Sequence, residues 1–496
     1  MLPDPADLLP DAPRVREALA AAGWSPAGLD DLLGVTARTH LDRDERSPLL
    51  RRTAGGSPLE VLARVLVLGE PVPRARAVGA GLPNSWLVGG EAVTCPVRLQ
   101  AVAHGGTDVT VPHDTGSAAA QVQAEQVLGI GAASLTLAAA TPRRPVSRLL
   151  DVGTGNGVQA LLARGHAGVL VATDRNPRAT AFAQLAGVLA GVEVDARTGD
   201  LLEPVAGEQF DLVVSNPPFV VSPGRRYTHR DAGHPGDDVC RTLVQQVSAV
   251  LAPGGHAVLL VNWLHLQGQD GDERVRSWFD GTGCDGWVVQ RELAAPEDYV
   301  TAWLRDTDEG AFDALYDEWV DALFGVEAIA FGVLAMHRRT DGRAPSVELD
   351  EVDQPTAATW GEEVLAHFVR WELLEGDLLQ ARLRVRDDVR LHQVAKRTED
   401  GWLADTQLLQ QAHGLRWSGG VDAYGADLLA ACDGTRRLGD LVELLAAGAG
   451  LSRGCRRVRP RSRSCPSCAS WCDTASWSDS GTGQGVVAAW SPGGSA

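Results

Sequence analysis

From about residue 147 to 338 the chain alternates short apolar, β-branched runs with helical intervals, and no other feature restricts its fold as much. The runs are SRLLDV, GVLVAT, VEVDA, DLVVS, HAVLLVNW, GWVVQ and AIAFGVLAM; PRATAFAQLAGVLAG and DVCRTLVQQVSAVLA are the clearest helices between them. Continuous apolar strands are buried on both faces, and strands separated by helices pair in parallel. The pattern therefore predicts an α/β fold with a doubly wound, mostly parallel, seven-stranded sheet. In such sheets ligands bind outside the carboxyl ends of the strands, so the residues that follow each run are where chemistry is expected.

The first run leads into LLDVGTGNGVQAL, residues 149–161. Gly153, Gly155 and Gly157, with Thr154 and Asn156 between them, allow a tight turn and a close approach of backbone to a ligand at a helix start. The spacing G-x-G-x-G is one residue shorter than the dinucleotide pattern, and many strand-to-helix turns carry glycine for steric reasons alone. Asp151 adds a carboxylate just before the turn. The second run ends VLVATDRNP, which puts Asp174 and Arg175 at a strand tip; a carboxylate there can accept hydrogen bonds from both hydroxyls of a ribose, or cap the next helix. ARTGDLL brings Asp200 and Leu201 to the third tip. Capping alone does not call for carboxylates on three successive tips. The fourth run stops abruptly at SNPPF, on Asn216, Pro217, Pro218 and Phe219, a sequence that also suits a plain strand-terminating turn.

In this order, DVGTGNG, ATD, GDLL and SNPPF resemble the class I S-adenosylmethionine-dependent methyltransferases of the NPPF/NPPY amino-methylating group. The resemblance runs over residues 127 to about 338 and includes VLGIGAAS and LAPGGHAVL. It implies S-adenosyl-L-methionine as cofactor, with Asp151, Gly153, Thr154, Gly155, Asn156, Gly157, Asp174, Arg175, Asp200, Leu201 and Asn216 around it. The glycine turn would lie under the methionine moiety, Asp174 would hold the ribose, and Asp200 the adenine amine. It implies catalysis by Asn216, Pro217, Pro218 and Phe219 on an amino nitrogen attached to a planar π-system. The Asn216 side-chain oxygen and the Pro217 carbonyl can each accept an N–H from such an amine, and Phe219 offers a face for stacking. No metal enters this chemistry.

NPPF resembles the ribosomal RNA guanine-N2 and adenine-N6 enzymes, whereas release-factor glutamine methyltransferases more often carry NPPY. Val220 departs from the guanine-N2 pattern, where histidine is common. The expected substrate is therefore an exocyclic amine of a nucleobase in RNA, with a protein glutamine as the alternative. An NAD-dependent oxidoreductase would leave NPPF unexplained, and a non-catalytic cofactor-binding protein is the remaining alternative.

The chain of 496 residues, 44% hydrophobic, suffices for roughly two to four domains. Residues 1–126, two or three helices and a small ribbon, read as a winged-helix-like accessory domain, 127–340 as the methyltransferase domain, 353–449 as a second α+β accessory domain, and 450–496 as a disordered tail. A formal net charge of −19, with Lys396 the only lysine, argues against a protein that coats nucleic acid nonspecifically. No run of 18 apolar residues occurs, and MLPDPADLLPDAPR lacks a signal-peptide pattern, so a cytoplasmic location is expected, without membrane partners. Cys95, Cys240, Cys284 and Cys432 are scattered as reduced thiols. Cys465, Cys468 and Cys472 in CPSCASWC approach zinc-ligand spacing but have only Cys455 as a fourth candidate. His392 and His413 lack partners at ligand spacing, and Arg225, Arg226 and Tyr227 in the loop after NPPF are either solvated or contacts to a phosphate or base.

Overall fold

The computed structural model describes residues 4–43, 45–115, 125–218, 220–221, 237–304, 309–399, 401–448, 477–479 and 486–487. Its first part contains helices α1 (Ala12–Ala21), α2 (Pro26–Leu33), α3 (Ala37–Asp42), α4 (Arg46–Arg52), α5 (Pro58–Ala63) and α6 (Arg74–Gly79). Among them lie the short strands β1 (Val72–Pro73), β2 (Val88–Gly89) and β3 (Ala92–Thr94), followed by a hairpin of β4 (Val97–His104) and β5 (Thr107–Asp114). Helix α5 starts at a capping box, in which the Ser57 hydroxyl accepts from Glu60 N–H and the Glu60 carboxylate accepts from Ser57 N–H at 2.7 Å. After α5 the apolar stretch continues as a π-helical turn over Arg64–Leu68 and ends on Gly69, whose φ of 71° is left-handed.

Then follow α7 (Ala132–Ala140), β6 (Val146–Val152), α8 (Val158–Leu162), β7 (Ala167–Asp174), α9 (Pro177–Ala190), β8 (Asp195–Thr198), β9 (Phe210–Ser215), α10 (Asp238–Val250) and β10 (Leu251–Leu266). After these come α11 (Gly271–Ser277), β11 (Cys284–Ala294), α12 (Pro296–Leu304), α13 (Glu309–Ala322), β12 (Val326–Arg338) and β13 (Val347–Glu351). The strands form one sheet in the order β13-β11-β12-β10-β9-β6-β7-β8. Strands β8, β7, β6, β9 and β10 are parallel, and β12 is antiparallel to β10. This is the Rossmann-like methyltransferase fold, with one edge strand more than the seven expected. VEVDA forms a strand only from Asp195, because Val192 N–H turns back to the Gly187 carbonyl (3.0 Å) to close α9 at Gly191.

Register fixes the site. Val152 lies opposite Thr173 on one side and Ser215 on the other, so Gly153, Asp174 and Asn216 emerge side by side at the carboxyl edge. The Ser215 hydroxyl donates to the Val152 carbonyl at 2.8 Å and locks the two central tips together.

Two compact units are present, one formed by residues 1–138, 143–286 and 292–347, the other by 139–142, 287–291 and 348–496. In the first, Leu8, Val15, Leu62, Leu66 and Trp86 of the N-terminal part share a buried core with Phe182 and Leu185 of α9. The second contains α14 (Gly361–Glu375), β14 (Leu383–Val385), the antiparallel β15 (Val389–Thr398), β16 (Gly401–Gln411) and β17 (Ser418–Gly420), α15 (Ala423–Ala431) and α16 (Leu438–Gly448). Its core holds Glu363 between Arg386 (2.6 Å) and Gln411 (3.0 Å), and Trp287 stacked on His367 at 4.3 Å. His392 and His413 are exposed. Among the described residues no helix is long and apolar enough to cross a membrane. Arg225, Arg226, Tyr227 and the tail cysteines Cys455, Cys465, Cys468 and Cys472 lie outside the described residues.

Candidate active site

A cavity of about 460 Å³ opens at the carboxyl edge of the sheet. Its lining includes Asp151, Gly153, Thr154, Gly155, Asn156, Asp174, Arg175, Asp200, Leu201, Asn216, Pro217 and Pro218, so four strand tips contribute to one concavity. Gly157 does not line it, and Phe219 lies outside the described residues.

The turn after β6 is built by left-handed glycines: Gly153, Gly155 and Gly157 have φ of 70°, 55° and 81°. The Gly153 and Thr154 N–H groups both donate to the Thr173 carbonyl, at 2.8 and 3.0 Å, folding the turn against β7. A Cβ on Gly153 would meet nothing closer than 4.0 Å and one on Gly155 nothing within 4 Å, so both glycines keep open space beside the cavity. Gly157 has a different reason: a Cβ there would stand 3.0 Å from the Ala183 Cα, so it serves packing of the turn on α9.

Asp151 is buried, and its Oδ2 accepts from the Thr154 hydroxyl (2.7 Å) and Ala160 N–H (3.3 Å). Burial pushes its carboxyl up to about 7, against those two hydrogen bonds. Asp174 accepts Gly155 N–H on Oδ2 (3.0 Å) and Asn176 N–H on Oδ1 (2.9 Å); burial raises its pKa as well, opposed by the same backbone donors. Each oxygen retains a lone pair for a further donor. Asp200 is exposed and lines the cavity beside Leu201, which holds a φ of 43° with its carbonyl accepting from the Thr173 hydroxyl at 3.0 Å. Asn156 is buried and structural on both sides, donating to the Leu128 carbonyl (3.0 Å) and accepting Val158 N–H (3.2 Å).

Apolar Val220, Val239 and Trp303 line the same cavity as Asn216. The Val221 N–H donates to the Tyr299 hydroxyl at 2.9 Å, tying α12 to the chain just past NPPF. Val220, Val221, Val300, Leu304 and Trp319 form a buried cluster, with Tyr299 and Trp303 packed against it. Sequence reasoning did not single out Trp303 and Tyr299, which lie far along the chain from the motifs, or Val239, which sits in a segment read only as a helix. It touched the stretch Gln126–Ser134, most of which also lines the cavity, only through the resemblance of VLGIGAAS.

Sheet order, glycine turn, acidic tips and the Asn-Pro-Pro corner define a class I S-adenosylmethionine-dependent methyltransferase domain. A family model described as "Methyltransferase small domain" matches residues 120–270, and two models described as domains of unknown function match 21–90 and 365–460. The chain is similar to the release factor glutamine methyltransferase of Deinococcus radiodurans, 36% identical over 124 residues, 23% of this chain and 44% of the relative. That of Geobacter sulfurreducens is 35% identical over 158 residues, 29% of this chain and 53% of the relative. The chain thus spans about half the length of the curated relatives it matches. Among solved structures, a T. thermophilus 16S rRNA N2 methyltransferase in complex with AdoMet and guanosine is 19% identical, covering 45% of this chain and 54% of that one, with a TM-score of 0.26.

Proposed function

We propose that this protein transfers the methyl group of S-adenosylmethionine to a planar amino nitrogen of a macromolecule. One observation carries the reading: Asn216 borders the same cavity as the glycine turn, Asp174 and Asp200, and that cavity is also lined by apolar Val220, Val239 and Trp303. The open space beside Gly153 and Gly155, and the spare lone pairs of Asp174, fit a cofactor with a ribose and a cationic end. Asp174 would hold the ribose and Asp200 the adenine amine. The cofactor supplies an electrophilic methyl group.

The chain's own residues then solve the nucleophile's problem. A nitrogen conjugated to a carbonyl or a ring has a delocalised lone pair. Two acceptors, the Asn216 amide oxygen and the Pro217 carbonyl, bind its N–H groups and turn the lone pair toward the methyl group. The prolines stiffen that acceptor pair. Once methylated, the nitrogen is acidic enough to release its proton to water, so no strong general base is needed.

The curated relatives support a glutamine carboxamide in a protein as the acceptor, and the acidic chain, with net charge −19, agrees with a partner other than a polyphosphate backbone. A second reading, the exocyclic amine of a base in RNA, is supported by phenylalanine rather than tyrosine in NPPF and by the flat face of Trp303 in the cavity wall. The test incubates the full chain and tritiated cofactor with release factors, ribosomal RNA and transfer RNA from cells lacking the enzyme. Label in N5-methylglutamine supports the first reading, and label in a methylated base amine the second. Label in neither, with cofactor bound, overturns the transferase.

A further inference from the structure

One wall of the cavity is a strap, from Gln126 to Gly131, that belongs to no strand or helix. Its backbone groups must find partners elsewhere; the Leu128 carbonyl accepts from Asn156, and Val127 and Ile130 find theirs on the N-terminal hairpin. Ile130 N–H donates to Gln100 Oε1 at 2.8 Å, while Gln100 Nε2 donates back to the Ile130 carbonyl at 3.3 Å. Val127 N–H donates to Asp114 Oδ2 at 2.8 Å, and Asp114 N–H returns to the Val127 carbonyl at 2.9 Å. The fit is close: a Cβ on Gly129 would stand 2.6 Å from Gln100 Oε1.

Asp114 is itself held by Arg178 of α9, through Nε at 2.8 Å and a second guanidinium contact. The pair is buried, with side-chain exposures of 0% for Asp114 and 8% for Arg178. A buried ion pair adds little net stability over apolar side chains of the same size, but its directional hydrogen bonds select one arrangement. That arrangement joins the strap to α9, the helix that begins just after Asp174. Gln100, Asp114 and Arg178 do not line the cavity.

We propose that Gln100 and the Asp114–Arg178 pair are positioning residues of the cofactor site: the N-terminal hairpin holds the strap at the spacing from Asp174 that the cofactor requires. The inference rests on the cofactor assignment above. It makes the N-terminal part a contributor to cofactor affinity.

Calorimetric titration of S-adenosylhomocysteine into the full chain tests it, with thermal unfolding of each cofactor-free variant as a check on folding. Gln100→Leu and Asp114→Asn are expected to raise Kd by about 5- to 20-fold, the equivalent of one or two lost hydrogen bonds. Gln100→Glu keeps the acceptor for Ile130 N–H but gives up the donor to the Ile130 carbonyl, so it should lose less affinity than Gln100→Leu. A Kd unchanged in folded Gln100→Leu overturns the proposal. So does equal loss in Gln100→Glu and Gln100→Leu, which marks general loosening rather than positioning. If Asp114→Asn does not fold, Gln100→Leu on the half-buried hairpin face decides. Wild type that binds neither cofactor nor product would instead remove the cofactor assignment itself.

Discussion

The Gly155 N–H donates to Asp174 Oδ2 at 3.0 Å, so the acid at the tip of β7 also sets the glycine turn at the tip of β6. Removing that carboxylate withdraws a turn anchor and, on the proposed function, a ribose partner at once. Asp174→Ala should weaken S-adenosylmethionine binding by on the order of 10-fold or more in calorimetry, from loss of charge-assisted hydrogen bonds. Unchanged affinity, or tighter binding of NAD than of S-adenosylmethionine, contradicts the assignment.

Trp303 of α12 lines the same cavity as Asn216, and on the proposed function it would face the acceptor. An aromatic face contributes about 0.5–1.5 kcal/mol beyond its buried area. Trp303→Ala should therefore raise KM for the acceptor by roughly 3- to 10-fold and leave the Kd for cofactor unaffected, with Trp303→Phe intermediate. Equal KM values in the three proteins would place the acceptor elsewhere.

Asp151 is lifted from an ordinary value of 3.8 to about 7 by burial. The folded protein thus holds this proton more tightly than the unfolded chain. The stability that results is complete below about pH 4 and is lost as pH rises through about 7. Unfolding midpoints of wild type should fall relative to those of Asp151→Asn between about pH 4.5 and 7.5. A difference that stays constant, or that grows in wild type's favour with pH, contradicts the burial argument.

What was legible in the sequence was whatever burial makes repetitive. Leu149–Val152, Leu170–Ala172 and Leu212–Val214 lie in strands covered on both faces, and their apolar runs locate the tips carrying Asp151, Asp174 and Asn216. Strand β13 escaped because Val347–Asp350 are only half-buried at a sheet edge and VELDE has no apolar run. The strap escaped because irregular backbone held by side chains such as Gln100 leaves no period. Trp303 sits in the helical segment between β11 and β12, whose apolar face reads the same whether it covers a core or a ligand. The packing of Trp86 and Leu62 against Phe182 depends on tertiary contacts with α9, a helix apolar on most of its surface.

Asn216→Ala, assayed in one preparation for cofactor binding and for methyl transfer, tests the central claim most directly. If, as proposed, the side-chain amide acts on the acceptor nitrogen in the transition state, its loss should cost on the order of 3 kcal/mol, more than 100-fold in transfer rate. Cofactor affinity should remain within a few-fold, because the glycine turn, Asp174 and Asp200 are untouched. Transfer within a few-fold of wild type, or transfer lost only in step with cofactor affinity, would contradict catalysis at the Asn-Pro-Pro corner.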